Sequence, residues 1–155
     1  MKPNYIVIPT LAVVVSLLGR YFVSLGLRDW YPTLTLPSWT PPGFVIGMVW
    51  TLIYVLTAAS AIIFWNRFPR DANFKVCTSV FFLNAILNVG WSYAFFTRHA
   101  IHTAVWISAA LEVTVLALIV MLWPRSRLAA SLLIPYAAWV VFATYLNYVI
   151  STLNP

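Results

Sequence analysis

Asp29-Trp30-Tyr31-Pro32-Thr33-Leu34-Thr35-Leu36-Pro37-Ser38-Trp39-Thr40-Pro41-Pro42-Gly43 separates two long apolar stretches of this chain. A connection between membrane helices needs only a few polar residues. This one carries four prolines and the large aromatics Trp30, Tyr31 and Trp39, which lower chain entropy and favour a packed conformation. It reads as a shaped lid.

Outward from the lid, the composition places it on a membrane protein. With 63% hydrophobic and 8% charged residues in 155, the chain has too much apolar surface for a soluble fold of this size and takes lipid as its solvent. A bilayer core of about 30 Å needs roughly 20 helical residues. Five stretches meet that length, at 5–27, 43–66, 74–96, 102–123 and 128–151, and none alternates strictly as a β-barrel strand does. The expectation is an all-α integral membrane protein: a single domain over 1–155, a five-helix bundle under a Trp/Pro-rich loop. The first span lacks a small-x-small cleavage site and contains Arg20, so it is expected to be retained. Lone Cys77 allows no internal disulfide, and an odd span number argues against a simple inverted repeat.

Lys2, Arg67, Arg70, Lys75, Arg125 and Arg127 fall on the amino-terminal side of the spans, against Arg28 and Arg98 opposite. The basic side is expected to be cytoplasmic and the lid outside. The net charge of +6 is then accounted for by topology and anionic lipid, without nucleic acid.

A helical rise of 1.5 Å per residue converts sequence position into depth. Trp50 and Tyr54 lie roughly 10 and 16 Å below the lid side. Asn84 is near the midplane, with Asn88 and Trp91 nearer the lid; Trp139 is near the midplane and Asn147 near the lid. If these faces converge, three helices and the lid enclose an aromatic pocket with a few amides, suited to a large flat conjugated ligand. Trp30, Trp65, Trp106 and Trp123 sit near span ends and read as an interfacial belt. Trp50 and Trp139 are too deep for a belt, and ligand contact and core packing both remain open for them. Asn84 and Asn88 share a face at i, i+4 and read first as interhelical hydrogen bonds, with ligand contact as the alternative.

The run Trp30-Tyr31, Pro37-Ser38-Trp39-Thr40-Pro41-Pro42, Trp50 and Leu52-Ile53-Tyr54 resembles the first loop and second helix of the translocator protein family, also called tryptophan-rich sensory proteins or peripheral benzodiazepine receptors. Asn88, Trp91 and Phe95-Phe96 extend the resemblance through the third span. Pro135-Tyr136-Ala137-Ala138-Trp139 and Phe142-Ala143-Thr144-Tyr145-Leu146-Asn147 extend it through the fifth. The resemblance implies a membrane receptor or sensor that binds porphyrins, protoporphyrin IX or haem, in a cavity beneath the first loop, and that needs no cofactor. It further implies light-dependent porphyrin breakdown at the tryptophans matching Trp50 and Trp139. The implied ligand-binding residues are Trp39, Pro42, Trp50, Tyr54, Asn88, Trp91, Trp139, Ala143 and Asn147, beside which Asn84 is a candidate by position. Transport of porphyrin or another amphipathic molecule, and ligand-dependent regulation of a partner, are the alternative functions.

Tyr148 is followed by Val149-Ile150-Ser151-Thr152 with no basic residue, which departs from the sterol motif of animal members and favours a bacterial inner membrane. Thr103 stands where animal members have a cavity tryptophan, with Trp106 nearby. Glu112, mid-span, is read as a neutral acid hydrogen-bonded to a neighbouring helix, a functional role being the alternative. Arg20 is expected to pair with Glu112 or Asp29 or to snorkel. His99 and His102 lack the companions for a metal site, and no general acid, base or metal set marks a conventional enzyme. Gly43-Phe44-Val45-Ile46-Gly47 is a GxxxG match that fits packing within the bundle or a homodimer.

Overall fold

The computed structural model describes residues 2–155, and all regular structure among them is helical. The elements are α1 (Asn4–Gly26), a 3₁₀ turn (Tyr31–Thr33), α2 (Gly43–Arg67), α3 (Ala72–Ser92) running on into a π turn (Tyr93–Thr97), α4 (Ile101–Leu122), the short α5 (Arg127–Ser131) and α6 (Ile134–Leu153). Among the described residues, five helical segments are long and apolar enough to cross a membrane, the last comprising α5 and α6 together. The packing forms a ring: α1 lies between α2 and α3, α4 between α3 and α6, and α2 closes the ring against α5 and, more thinly, α6.

Polarity runs inside out relative to a water-soluble protein. Ser60, Asn84, Asn88, Thr114, Asn147 and Ser151 are buried, while Phe44, Ile86, Val113 and Val120 face outward. In lipid the outer apolar face has no reason to hide, and interior polar groups bind helix to helix.

Two backbone irregularities were not expected. The fifth span is broken. Pro135, near the start of α6, has no N–H to offer the Ser131 carbonyl, and the Leu133 N–H turns to Ala130. That leaves the Ala129 carbonyl to the Ser60 hydroxyl, which donates to it at 2.7 Å across the interface with α2. At the end of α3 the backbone widens, with the Arg98 N–H reaching Tyr93 and the Ala100 N–H reaching Ala94. The wider turn thrusts the Phe96 carbonyl against α1 so closely that a Cβ on Gly26 would collide with it; only glycine fits there.

At the end away from the lid, Asp71 caps α3 by accepting from the Phe74 N–H at 2.9 Å and pairs with Arg125 at 3.0 Å. The Phe74 amide first, and Arg125 second, hold the Asp71 carboxyl below the usual carboxylate range. Arg70 lies over the rings of Phe74 and Trp65, at 4.0 and 4.5 Å from their centroids.

Candidate functional site

The lid is fastened at three places. Its first half, Trp30, Tyr31, Leu34 and Leu36, packs on the cluster of Phe95, Phe96, Ile101, Leu146 and Ile150, at the lid ends of the third, fourth and fifth spans. Trp30 lies edge-on to Phe95 and stacks on His99, with ring centroids 4.2 Å apart and planes within 9°. His99 reaches that position with a left-handed backbone, φ 54°. Midway along the loop, the Asn154 side chain bonds both the N–H and the carbonyl of Thr35. In the second half, Trp39 stacks on Tyr145 and stands edge-on to Phe142, both on α6. Phe142 continues to Trp139 at 5.3 Å, so an aromatic ladder descends from lid to mid-membrane.

Below the ladder, Trp50 and Trp139 flank one buried cluster of Ile53, Leu111, Val115, Tyr136, Ala137 and Val140. Trp50 contacts Tyr54 at 5.9 Å and Tyr136 edge-on at 6.1 Å. The two tyrosines begin a hydrogen-bond chain across the bundle. The Tyr54 hydroxyl donates to Asn88 Oδ1 at 2.8 Å, and Asn88 Nδ2 donates to the Tyr136 hydroxyl at 3.2 Å. Tyr136 donates to Asn84 Oδ1 at 3.1 Å, and Asn84 Nδ2 donates to Thr114 Oγ1 at 2.9 Å. Four spans are thereby joined through one continuous polar thread. A second thread runs from Trp91 Nε1 to Asn147 Oδ1 at 2.8 Å and from Asn147 Nδ2 to the Ile101 carbonyl at 3.3 Å.

Asn84, Asn88, Trp91 and Asn147 therefore spend their polar atoms on neighbouring helices. Trp139 does not: its indole Nε1 is buried with no partner. Thr57 Oγ1 is likewise unpartnered. Ala143, one turn above Trp139, is half-buried on α6, while Pro42 stands exposed at the head of α2, where its carbonyl accepts from Val45 and Ile46.

Several expectations are corrected. Trp30 anchors the lid and does not join a lipid belt, because the positive φ of His99 turns an imidazole under its ring. Trp106, read from the sequence as interfacial, is 77% exposed and faces outward. Glu112 lacks the expected bond: its Oε2 is buried with no partner. Arg20 is exposed and pairs with neither Glu112 nor Asp29, in agreement with the snorkelling alternative; Arg125–Asp71 is the one salt bridge among the described residues. Gly43 and Gly47 are exposed with open space beside their Cα atoms, so GxxxG does not serve packing within the bundle. His99 and His102 line an open pocket of about 320 Å³, and no cluster of three or more metal-ligating side chains occurs among the described residues.

Tyr136 and Asn154 were not singled out from sequence as site residues. Tyr136 had a signal, lying three residues before Trp139 on the same helix face. Asn154 had none, since its partner is a loop backbone 119 residues away.

Five membrane-length helices, a pinned Trp/Pro lid and two indoles on one buried cluster define a class of small membrane proteins. The chain belongs to the TspO/MBR family, whose profile matches residues 7–153. It is 39% identical over 140 residues to the tryptophan-rich protein TspO of Bacillus cereus, covering 88% of this chain and 90% of that one. The TspO of Archaeoglobus fulgidus is 34% identical over 137 residues, covering 88% and 87%. The human translocator protein is 33% identical over 136 residues, covering 84% and 77%.

Proposed function

We propose that this membrane protein, of sensor or transporter type by its family, is a receptor that binds protoporphyrin IX or a similar flat amphipathic molecule between Trp50 and Trp139 beneath the lid. The observation that carries the reading is the Trp139 indole N–H, buried without an acceptor beside the cluster that Trp50 also flanks. A buried donor left unpaired costs about 1–3 kcal/mol, and a ligand carboxylate or carbonyl would remove that cost. Indole faces on α2 and α6 supply stacking surface, and the polar thread beneath them fixes their spacing. Trp39 and Phe142 fit an upper aromatic wall; Asn84, Asn88, Trp91 and Asn147, already bonded within the protein, fit a supporting role.

The same placement suits light-dependent breakdown of the bound porphyrin, since an excited porphyrin and dioxygen would meet oxidisable indoles at contact distance. Such chemistry needs no general acid or base. In the cell the lid would face outward from a bacterial inner membrane, with the arginine-rich rim of Arg67, Arg70, Arg125 and Arg127 on anionic lipid. The test is a dark titration of the detergent-solubilised protein with protoporphyrin IX, repeated under light, for wild type, Trp50→Phe and Trp139→Phe. Saturable binding in the dark, with ligand loss under light that the variants lack, is the expected result. Absence of saturable binding by wild type would overturn the reading.

A further inference from the structure

We propose that Asn154 is the catch of the lid: its carboxamide holds the backbone of Thr35, and release of that hold sets the rate at which a ligand passes in or out. The proposal rests on the reading that the ligand lies beneath the lid.

Asn154 sits at the C-cap of α6, where a helix leaves carbonyls without partners. Its Nδ2 donates to one of them, on Ile150, at 2.9 Å, which ties the side chain to the helix end. The same Nδ2 donates to the Thr35 carbonyl at 3.0 Å, and Oδ1 accepts the Thr35 N–H at 2.9 Å. Both backbone groups of one lid residue are thus satisfied by one side chain, as a neighbouring strand would satisfy them. The amide orientation follows from its partners, because an N–H must meet oxygen and a carbonyl must meet nitrogen.

Position makes this pair a catch. Thr35 lies between the two aromatic fastenings, and these differ in kind. Trp30 and Tyr31 are sunk among Phe95, Phe96 and His99. Trp39 is 43% exposed, stacked on the exposed Tyr145 and edge-on to the half-buried Phe142. Thr35 and its bonds to Asn154 are at the surface, where water replaces them readily. The loop is therefore firm from Trp30 to Leu36, where the Asn154 bonds reinforce the packing of Leu34 and Leu36, and releasable beyond that hold. Pro37 and Pro41 stiffen the releasable part, so that it moves as a strap between its root at Leu36 and the head of α2 at Pro42.

The experiment uses the full chain in lipid nanodiscs as wild type, Asn154→Ala and Thr35→Pro. The last removes the lid's N–H without touching α6, and Leu34 is already extended (φ −77°, ψ 142°), as a residue before proline must be. Three readouts are taken: amide exchange at Thr35 in wild type and Asn154→Ala, equilibrium binding of protoporphyrin IX, and its association and dissociation rates by tryptophan quenching. The expected result is exchange at Thr35, and both porphyrin rates, raised about tenfold in Asn154→Ala. Thr35→Pro should raise the two rates similarly, and Kd should change little in either variant, since the catch is closed before and after binding. Normal binding with unchanged rates in both variants overturns the catch and leaves the binding reading standing. Unchanged Thr35 exchange in Asn154→Ala overturns it independently of any ligand. Failure of wild type to bind protoporphyrin IX at equilibrium would instead strike the binding reading on which the gating role rests.

Discussion

Tyr136 is the residue at which the interior polar groups meet. Its hydroxyl accepts from Asn88 and donates to Asn84, so Tyr136→Phe would strand an amide N–H on one side and a carbonyl on the other, both buried. Leaving such groups unpaired costs about 1–3 kcal/mol. The variant should lower the thermal midpoint in detergent, whereas Tyr145→Phe, on the outer face of α6, should leave the midpoint nearly unchanged; equal midpoints for the two would deny the thread its structural weight. At this scale the sequence was informative where one helix face carried the signal. The i, i+4 spacing of Asn84 and Asn88 pointed to interhelical bonds, and the structure pairs both. It was uninformative where the partner is backbone or depends on a backbone conformation. Nothing in the order of residues reveals that Asn154 meets Thr35, or that His99 adopts a left-handed φ and lifts its ring against Trp30. Glu112 shows the same limit: its depth was legible, its lack of a partner was not.

The break between α5 and α6 follows from Pro135, which was in plain view, yet the span as a whole stays long and apolar enough to cross a membrane, which masks the interruption. Ser60 repairs the break from α2 and is fully buried. Ser60→Ala should therefore unpair the Ala129 carbonyl at a cost of about 1–3 kcal/mol, seen as a lower thermal midpoint. Ser60→Cys, which keeps a weak donor, should lose less. Asp71 fastens the start of α3 and, through Arg125, the loop after α4. Its carboxyl pKa is lower in the folded state than in the unfolded chain, where it is about 3.9, so the unfolded state binds the proton more readily. The stabilising contribution is thus complete above about pH 4 and is lost as pH falls through the depressed folded value. A pH series of thermal midpoints should fall more steeply below about pH 4 for wild type than for Asp71→Asn. Parallel curves would mean that the cap and ion pair are not formed in the membrane.

For the whole molecule, composition and span length were enough to anticipate five membrane helices, because lipid imposes a length and an apolar surface on anything that crosses it. The lid was legible as well, since four prolines and three large aromatics have little use in a slack connection. What could not be read was the closure of the ring, with α2 meeting α6 thinly and two indoles from those helices sharing one cluster; that depends on helix rotation, which the low polarity of all faces leaves unmarked. On the function proposed above, this shared cluster is a ligand site whose polar anchor is Trp139 Nε1. The most direct test is the dark affinity of Trp139→Phe for protoporphyrin IX against that of wild type, with Trp106→Phe as an outward-facing control. Wild type should bind saturably, with affinity about tenfold or more weaker in Trp139→Phe, the worth of one buried hydrogen bond, and unchanged in Trp106→Phe. Equal affinities for wild type and Trp139→Phe would contradict that role for Trp139.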